Sequence, residues 1–409
     1  MNEILLGSLI VIALVVLLTA GLLIARRRLI PQSSVLVTVN GSTTLEASRG
    51  DRLLGLLHDA SIGIPAACGG SGTCGLCRVT VTGEGAGQAG ATERGILSAA
   101  ERRANMRLAC QTVLRGPCAV EVPQDILSAG GGFTCRIVSN RMMAPLIREL
   151  VLELPESQPF DFRAGGFMQL TAPPYEQDFA EIELDAPFRE AWRISCWDHL
   201  YASSDKTVTR AYSIACRPEE AARGQAVFNI RLAVPPAGRE RDLPPGVVSS
   251  WLFSRKPGDT VEASGPFGDF QVQPGEREMI FIGGGVGMAP LRAMIHEQIG
   301  KGTKRRMRYF YGARSVADLF YVEEFDAIAA AHPNFIWMPA LSDPAPGDRW
   351  RGATGFIHDI VNAHLRSHPA PEDCEYYLCG PPVMISAVLA TLERLGVEPA
   401  SIFNDDFGV

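Results

Sequence analysis

Three cysteines stand within ten glycine-rich residues, Cys68-Gly-Gly-Ser-Gly-Thr-Cys74-Gly-Leu-Cys77, and a fourth, Cys110, lies in Leu108-Ala-Cys110-Gln111-Thr112. This pattern restricts the fold more than any other feature, because thiols from two distant segments must meet if they share a ligand. Core packing accounts well for one buried cysteine and poorly for three in a polar loop. Two iron atoms bridged by sulfides need four thiolates around an anionic centre, with backbone N–H groups aimed at the sulfurs. Gly69, Gly70, Gly72 and Gly75 can take positive φ and bring the chain close without a Cβ in the way. Zinc is the competing metal, but structural zinc usually draws on two short knuckles. Here one cysteine pair is closely spaced and the outer two are not. The expected centre is a [2Fe-2S] cluster held by Cys68, Cys74, Cys77 and Cys110. Cys118, Cys135, Cys196, Cys216 and Cys374 are expected to be core residues.

Around this loop, Val35 to Val39 alternates toward Asn40-Gly41, a strong hairpin signal, and Thr43 to Ala47 can form the returning strand. Leu53, Leu54 and Leu57 recur at helical spacing, and a strand is expected through Val79 and Val81. At 409 residues the chain is long enough for two to four domains, and three is the expected number. Its 46% hydrophobic and 20% charged composition suits packed globular domains. A formal charge of −7, with the Arg26, Arg27 and Arg28 cluster and no long Lys/Arg run beyond residue 28, argues against a nucleic-acid partner.

Ile4 to Ile24 carries no ionisable side chain, and at about 1.5 Å per residue it suffices for a hydrocarbon core of about 30 Å. A cleaved signal peptide would want basic residues before the apolar run and small residues at a cleavage site after it. Here Glu3 precedes the run and arginines follow. The expectation is a transmembrane anchor in contact with lipid, with residues from 29 onward in the cytoplasm. Ser8 and Thr19 are the polar side chains within the span, which makes it a poor ion path and an anchor the simpler reading.

Three further motifs follow in an informative order: Arg210-Ala-Tyr212-Ser213, Gly246-Val-Val-Ser249, and Gly283-Gly284-Gly285-Val-Gly287-Met-Ala-Pro290. The last follows a short apolar strand, Met279 to Ile282, and leads into a helix with Pro290 near its first turn, a geometry that cradles a pyrophosphate. Met288 stands where the dinucleotide fingerprint needs a third glycine, so the turn is not that fingerprint. Later comes Tyr377-Leu-Cys379-Gly380-Pro381-Pro382, and the chain ends Asn-Asp405-Asp406-Phe407-Gly-Val. His364 and His368 are four apart without an accompanying Glu and are taken as surface residues.

Residues 34 to 125 resemble plant-type ferredoxins, although five residues separate Cys68 from Cys74 where four are usual. That resemblance implies a β-grasp fold. The motifs from Arg210 onward resemble the ferredoxin–NADP reductase family, which implies an antiparallel β-barrel holding FAD followed by an α/β nucleotide-binding domain. On that resemblance Arg210 holds the flavin pyrophosphate, Tyr212 stacks on the isoalloxazine, Ser213 hydrogen-bonds near the reactive N5, and Gly246 and Ser249 make a second phosphate contact. Guanidinium suits phosphate, a phenol face suits a flat ring, and a hydroxyl can serve a group that gains and loses a proton. Gly283, Gly284, Gly285, Gly287 and Pro290 would meet the nucleotide, with Cys379, Gly380 and Pro381 beside the nicotinamide. Ser213 and Cys379 are the candidate catalytic residues, though a buried structural thiol explains Cys379 as well by chemistry alone. Phe407 would cover the second flavin face, the alternative being a frayed tail.

The expected architecture is thus multidomain α+β and α/β: an anchor in residues 1–28, a ferredoxin domain in 34–125, an FAD barrel in 130–272 and an NADH-binding domain in 275–409. As a whole the chain resembles the F subunits of Na+-translocating NADH:quinone reductases. The insertion at about 174–206, with Trp192 and Trp197, and the Asp-Asp-Phe-Gly ending share in that likeness. It implies an NADH dehydrogenase of the bacterial inner membrane, with FAD and a [2Fe-2S] cluster, that passes electrons to membrane partner subunits and finally quinone. A membrane-tethered oxygenase reductase and a non-catalytic redox carrier or sensor are the alternatives. The resemblance also implies NADH rather than its 2′-phosphorylated form; Arg314 and Ser315, after the next strand, could meet a 2′-phosphate, and Asp318 nearby would oppose one.

Overall fold

The computed structural model describes residues 34–60, 62–66, 69–123, 131–158, 162–240 and 242–406, and singly Leu14, Leu17, Thr19, Ile126 and Phe160. Most of the expected span 4–24, the basic cluster at 26–28, Cys68 and Phe407 lie outside the described residues. Among those described, no helix is long and apolar enough to cross a membrane. The chain divides into two compact units, one of residues 1–60 with 77–123, the other of residues 61–76 with 124–409.

In the first unit, β1 (Ser34–Val39) buries Val35, Val37 and Val39 on one face and turns through Asn40 and Gly41 into β2 (Thr43–Ser48). Both turn residues have positive φ, 48° and 68°, the conformation for which Asn-Gly is suited. Asn40 also bonds through its side chain to both the N–H and the C=O of Val122, which ties the hairpin to the last strand. The helix α1 (Leu53–Asp59) buries Leu53, Leu54 and Leu57 as their spacing predicts. Next come β3 (Arg78–Thr82), α2 (Ala91–Ile96), α3 (Ala99–Arg103), β4 (Met106–Leu108) and β5 (Cys118–Glu121). The sheet order β2-β1-β5-β3-β4, with β1 and β5 parallel and the other pairs antiparallel, is of the β-grasp kind.

A buried ion pair braces this unit. Glu93 on α2 accepts from the Arg107 guanidinium at 2.8 and 3.0 Å and from the N–H groups of Gly90 and Leu108. Burial works against its charge, yet Arg107 and the two N–H groups outweigh it and hold the carboxyl below the usual range. The pair thereby fixes β4, whose end leads to Cys110 two residues on.

The second unit opens with a barrel of β6 (Phe133–Ala144), β7 (Ile147–Glu153), β8 (Phe167–Ala172), β11 (Val208–Ser213), β12 (Gln225–Arg231) and β13 (Thr260–Phe267), in the order β11-β8-β13-β6-β7-β12. Every pair is antiparallel, and Ile214 bridging Phe228 brings the two outer strands together. Between β8 and β11 the insertion forms β9 (Tyr175–Asp178), α4 (Arg189–Ile194) and β10 (Tyr201–Ser204). The sequence here is polar, but it closes over an apolar centre of its own: Trp192 is fully buried, stacks on Phe253, and donates its indole N–H to the Pro145 carbonyl at 2.6 Å.

Short helices α5 (Pro218–Ala221) and α6 (Val247–Ser254) pack on the barrel. Beyond it, β14 (Met279–Gly284), α7 (Met288–Gly300), β15 (Met307–Ala313), α8 (Val322–Ala331), β16 (Phe335–Leu341), β17 (Ala353–Thr354), α9 (Ile357–Leu365), β18 (Glu375–Gly380), α10 (Pro382–Arg394) and β19 (Ile402–Asp406) build an α/β layer. Its sheet is parallel throughout, in the order β17-β16-β15-β14-β18-β19. β14 and β18 are buried along their whole length, as central strands covered on both faces must be.

Cys118, Cys135, Cys216 and Cys374 are buried as expected, and desolvation pushes the thiols of the last three up to about 12. Cys196 is a correction. It is exposed, in a left-handed turn at φ 53° after α4, because the insertion buries its tryptophan Trp192 and leaves the turn outside.

Candidate functional site

In the first unit Cys77 and Cys110 are both 1% exposed. They are neighbours because β3 pairs with β4: Arg78 faces Leu108, and the Ala109 N–H donates to the Cys77 carbonyl at 2.8 Å. The Cys110 segment is held from α1 as well. Leu54 N–H donates to Ala109, Leu53 N–H to Thr112, and the Arg52 guanidinium to the Cys110 carbonyl at 2.6 Å. The Gln111 amide lies 3.5 Å from the Cys110 sulfur, a donor of the kind that stabilises a charged sulfur.

The glycine-rich loop before Cys77 behaves as its composition predicts. Gly69, Gly70, Gly72 and Gly75 have φ of 61°, 91°, 87° and 67°, and Cys74 is half-buried. A metal cluster approached by backbone N–H groups needs such a loop, so the residues fit a [2Fe-2S] centre. Within the second unit a Cβ on Gly69 would stand 2.6 Å from the central carbon of the Arg210 guanidinium, and Ile64 accepts from the Gln169 amide.

Arg210, Tyr212 and Ser213 occupy the last half of β11, so the strand alternation sends Tyr212 to the side opposite its two neighbours in sequence. Arg210 is exposed, Tyr212 half-buried, and Ser213 buried. Burial holds the Tyr212 phenol far above its ordinary range, so it is a neutral face at any working pH. Gly246 caps α6, and a Cβ there would lie 2.7 Å from Ser249 Oγ and 2.8 Å from Ala233 Cβ. Beside it the Ser250 hydroxyl is buried against the Tyr175 phenol. A helix start that no side chain caps suits an anionic group, so the residues there fit a flavin phosphate.

The nucleotide motifs converge at the C-terminal edge of the parallel sheet, where open α/β folds bind ligands. Gly283 is paired with Cys379, which is paired in turn with Asp405 on β19. Gly285 turns at φ 55°, and a Cβ on Gly287 would stand 2.0 Å from the Cys379 carbonyl oxygen, so the two turns are in direct contact. Pro290 is the third residue of α7, and Gly380 and Pro381 lead into α10. Asp405 then reaches the barrel: its carboxylate lies 3.5 Å from Ser213 Oγ, 192 residues earlier in the chain. The sequence assigns Asp405 no role, because only the pairing of β18 with β19 sets where it points.

Arg314 is engaged by Asp343 at 3.1 Å, while Ser315 offers both its N–H and its hydroxyl to Asp318 at 3.0 and 2.8 Å. Both residues that could meet a 2′-phosphate thus face carboxylates.

One other group of potential metal ligands occurs among the described residues: Glu278, His368 and Cys374, with ligand atoms within 4.8 Å of one another. Its hydrogen bonds argue against a metal. Cys374 donates to the Ala370 carbonyl, Ala370 N–H points at His368 Nδ1, and Glu278 is paired with Arg308. A ring nitrogen that accepts on one side must carry its proton on the other, which leaves Nε2 donating to Glu278 at 3.2 Å rather than ligating. His364 and His368 are therefore not surface residues. Both are half-buried, and His364 lies 2.8 Å from Arg308 because α9 packs over β15.

A cysteine-rich loop that continues into a strand of a β-grasp sheet, a barrel with an anion-ready helix start, and a parallel sheet with a glycine turn define an iron–sulfur flavoprotein that takes electrons from a nicotinamide nucleotide. The family models agree: residues 37–115 match the 2Fe-2S iron-sulfur cluster binding domain, 194–272 the oxidoreductase FAD-binding domain, and 281–389 the oxidoreductase NAD-binding domain. The chain is 44% identical to the F subunit of the Na+-translocating NADH-quinone reductase of Methylococcus capsulatus, with all of both chains covered. It is 43% identical to that of Neisseria meningitidis, over 99% of this chain and 100% of the other. It belongs to the family of Na+-translocating NADH-quinone reductase F subunits. Among solved structures it resembles a cytochrome P450 reductase from Amycolatopsis, at TM-score 0.62 and 27% identity over 92% of this chain and 99% of that one. A ferredoxin reductase of carbazole 1,9a-dioxygenase shares the fold, at TM-score 0.58 and 24% identity over 92% and 98%.

Proposed function

We propose that the chain is the electron-entry subunit of a Na+-translocating NADH:quinone reductase in a bacterial inner membrane, oxidising NADH and passing single electrons to partner subunits. The observation that supports this best is the register setting Cys379 between Gly283 and Asp405, with Asp405 reaching Ser213 on the barrel. NADH releases two electrons as a hydride and a [2Fe-2S] cluster takes one, and bound FAD supplies the exchange between them.

The chain's own residues perform the binding, orientation and proton handling. N–H groups of the Gly283–Gly287 turn receive the nucleotide pyrophosphate, assisted by the start of α7. Cys379, Gly380 and Pro381 line the nicotinamide end, and the full burial of Cys379 keeps water from that edge. Arg210, with Gly246 and Ser249 at the start of α6, receives the flavin phosphates, and Tyr212 gives its ring a flat apolar face. Ser213 can pass a proton at Oγ to or from a bound group while its hydroxyl stays turned toward the Asp405 carboxylate, 3.5 Å away. Cys68, Cys74, Cys77 and Cys110 hold the cluster as thiolates, and the Gln111 amide favours the charged form of the Cys110 sulfur. The carboxylates on Ser315 and Arg314 favour NADH over its 2′-phosphorylated form by repulsion.

Residues 4–24 are proposed as a single-pass anchor in lipid with the remaining domains in the cytoplasm. Deleting residues 1–28 is expected to give a soluble, coloured protein with full flavin and iron content and unchanged NADH-to-ferricyanide activity, since every cofactor motif lies beyond them. Loss of flavin from the truncated protein would contradict this. The functional test is isolation of the full-length chain from detergent-solubilised membranes. Steady NADH oxidation, copurifying membrane subunits and sodium-stimulated quinone reduction are expected. Copurification with an oxygenase, or no turnover with ferricyanide, would count against the proposal.

A further inference from the structure

Among the described residues, the most deeply buried cation of the second unit lies outside every cofactor motif. Arg292, one turn into α7, is 2% exposed. Its Nη1 donates to the Ala215 carbonyl at 2.5 Å and lies 3.4 Å from Glu220, both on the segment that follows β11 in the barrel. Nε and Nη2 form a two-pronged pair with Glu324 on α8 at 2.6 and 2.8 Å, the arrangement for which guanidinium is suited. The planar head also lies 4.4 Å over the Tyr321 ring.

Tyr321 extends the same junction. It sits at φ 58°, uncommon for a bulky side chain, and its hydroxyl is held by Glu149 of β7 and, at 3.0 Å, by Asn229 of β12. Two residues of the nucleotide layer thus dock on three barrel segments through buried polar bonds. Burial opposes the charge of Glu324, but His296 and Arg292 outweigh it and hold the carboxyl at about 2, so the pair stays ionised across the working range.

Arg292 connects two parts of the proposed reaction site. On one side is the helix that begins at the Gly283–Gly287 turn; on the other is Ala215, two residues after Ser213. We propose that Arg292 is a positioning residue, which sets the angle between the nucleotide turn and the flavin strand so that hydride donor and acceptor come within reacting distance. This rests on the NADH-to-flavin reading above. Hydride transfer needs reacting atoms about 3–3.5 Å apart, and a displacement of about 1 Å can cost about 100-fold in rate.

The test uses the full-length protein with its cofactors, as Arg292→Met and Arg292→Lys, in anaerobic stopped-flow reduction by NADH and by NADH deuterated at the transferred position. In Arg292→Met the flavin and iron content, reduction by dithionite and the NADH dissociation constant should match the parent. The limiting rate of flavin reduction should fall by about 100-fold, and the deuterium isotope effect should rise as hydride transfer becomes the slow step. Arg292→Lys should fall between the two, because an ammonium keeps the charge but cannot serve Ala215, Glu220 and Glu324 together. A purely structural role would reduce rate and flavin content in the same proportion with an unchanged isotope effect, and would overturn the proposal. Should Arg292→Met not fold, Glu324→Gln is read the same way, and an unaltered limiting rate and isotope effect there are equally decisive against it. A parent protein that NADH does not reduce overturns the functional reading and this proposal together; a reducible parent with an indifferent Arg292→Met overturns this proposal alone.

Discussion

Replacing Cys110 with alanine is expected to empty the chain of its iron–sulfur chromophore while NADH still bleaches the flavin. A thiolate ligand cannot be substituted by a methyl group. Solvent is poorly placed to supply a replacement ligand, since Cys110 is 1% exposed beneath residues held from α1. Mutating groups behind a metal ligand already costs about 10- to 100-fold, so removal of the ligand itself should exceed that in any assay that draws electrons from the cluster. Flavin reduction should survive because Ser213, Asp405 and the glycine turn belong to a different compact unit from Cys110. Iron content, the low-temperature electron paramagnetic resonance signal of the reduced protein, and anaerobic flavin bleaching by NADH decide it. Retention of the resonance signal, or joint loss of both chromophores, would sink the idea.

Gly287→Ala should do the converse. A Cβ there would lie 2.0 Å from the Cys379 carbonyl oxygen and 2.4 Å from its carbon, distances that no rotamer change relieves because both atoms are backbone. Either the turn between β14 and α7 or the end of β18 has to move. Overpacking of this kind typically costs about 1–3 kcal/mol in stability. Function should suffer more, because the displaced turn is the one proposed to receive the pyrophosphate, and a shift of about 1 Å is worth about 100-fold. The expected result is a protein with normal flavin and iron content whose kcat/KM for NADH has fallen by about two orders of magnitude. Dithionite should still reduce its flavin. An unchanged kcat/KM would show that the nucleotide does not use this turn.

Much of this site is legible residue by residue. The four glycines before Cys77 announce positive φ, and all four have it. Asn40-Gly41 announces a hairpin, and Val39 pairs with Thr43 across it. The glycine turn after Met279–Ile282 announces a strand entering a helix, which it is. Other features are not legible in this way. Cys196 reads as a core residue from composition and is exposed, because the turn that carries it was placed by the burial of Trp192. His364 and His368 read as surface residues and are drawn into contact with Arg308 and Glu278 by the packing of α9 and the loop after it. Arg292, two residues past Pro290, stands in no motif that would announce its contacts.

Short-range chemistry is what the chain determines without its fold: how many thiolates a cluster needs, which residues tolerate a left-handed backbone, and where alternation or helical spacing begins and ends. Each of these depends on a handful of neighbours, so it survives in the linear order of residues. Which side chains face one another across long separations was decided by the tertiary structure alone. Ser213 meets Asp405 because β19 is laid beside β18, and Arg292 meets Ala215 because α7 packs on the barrel. Sheet order and register set those encounters, and no local pattern of residues carries them.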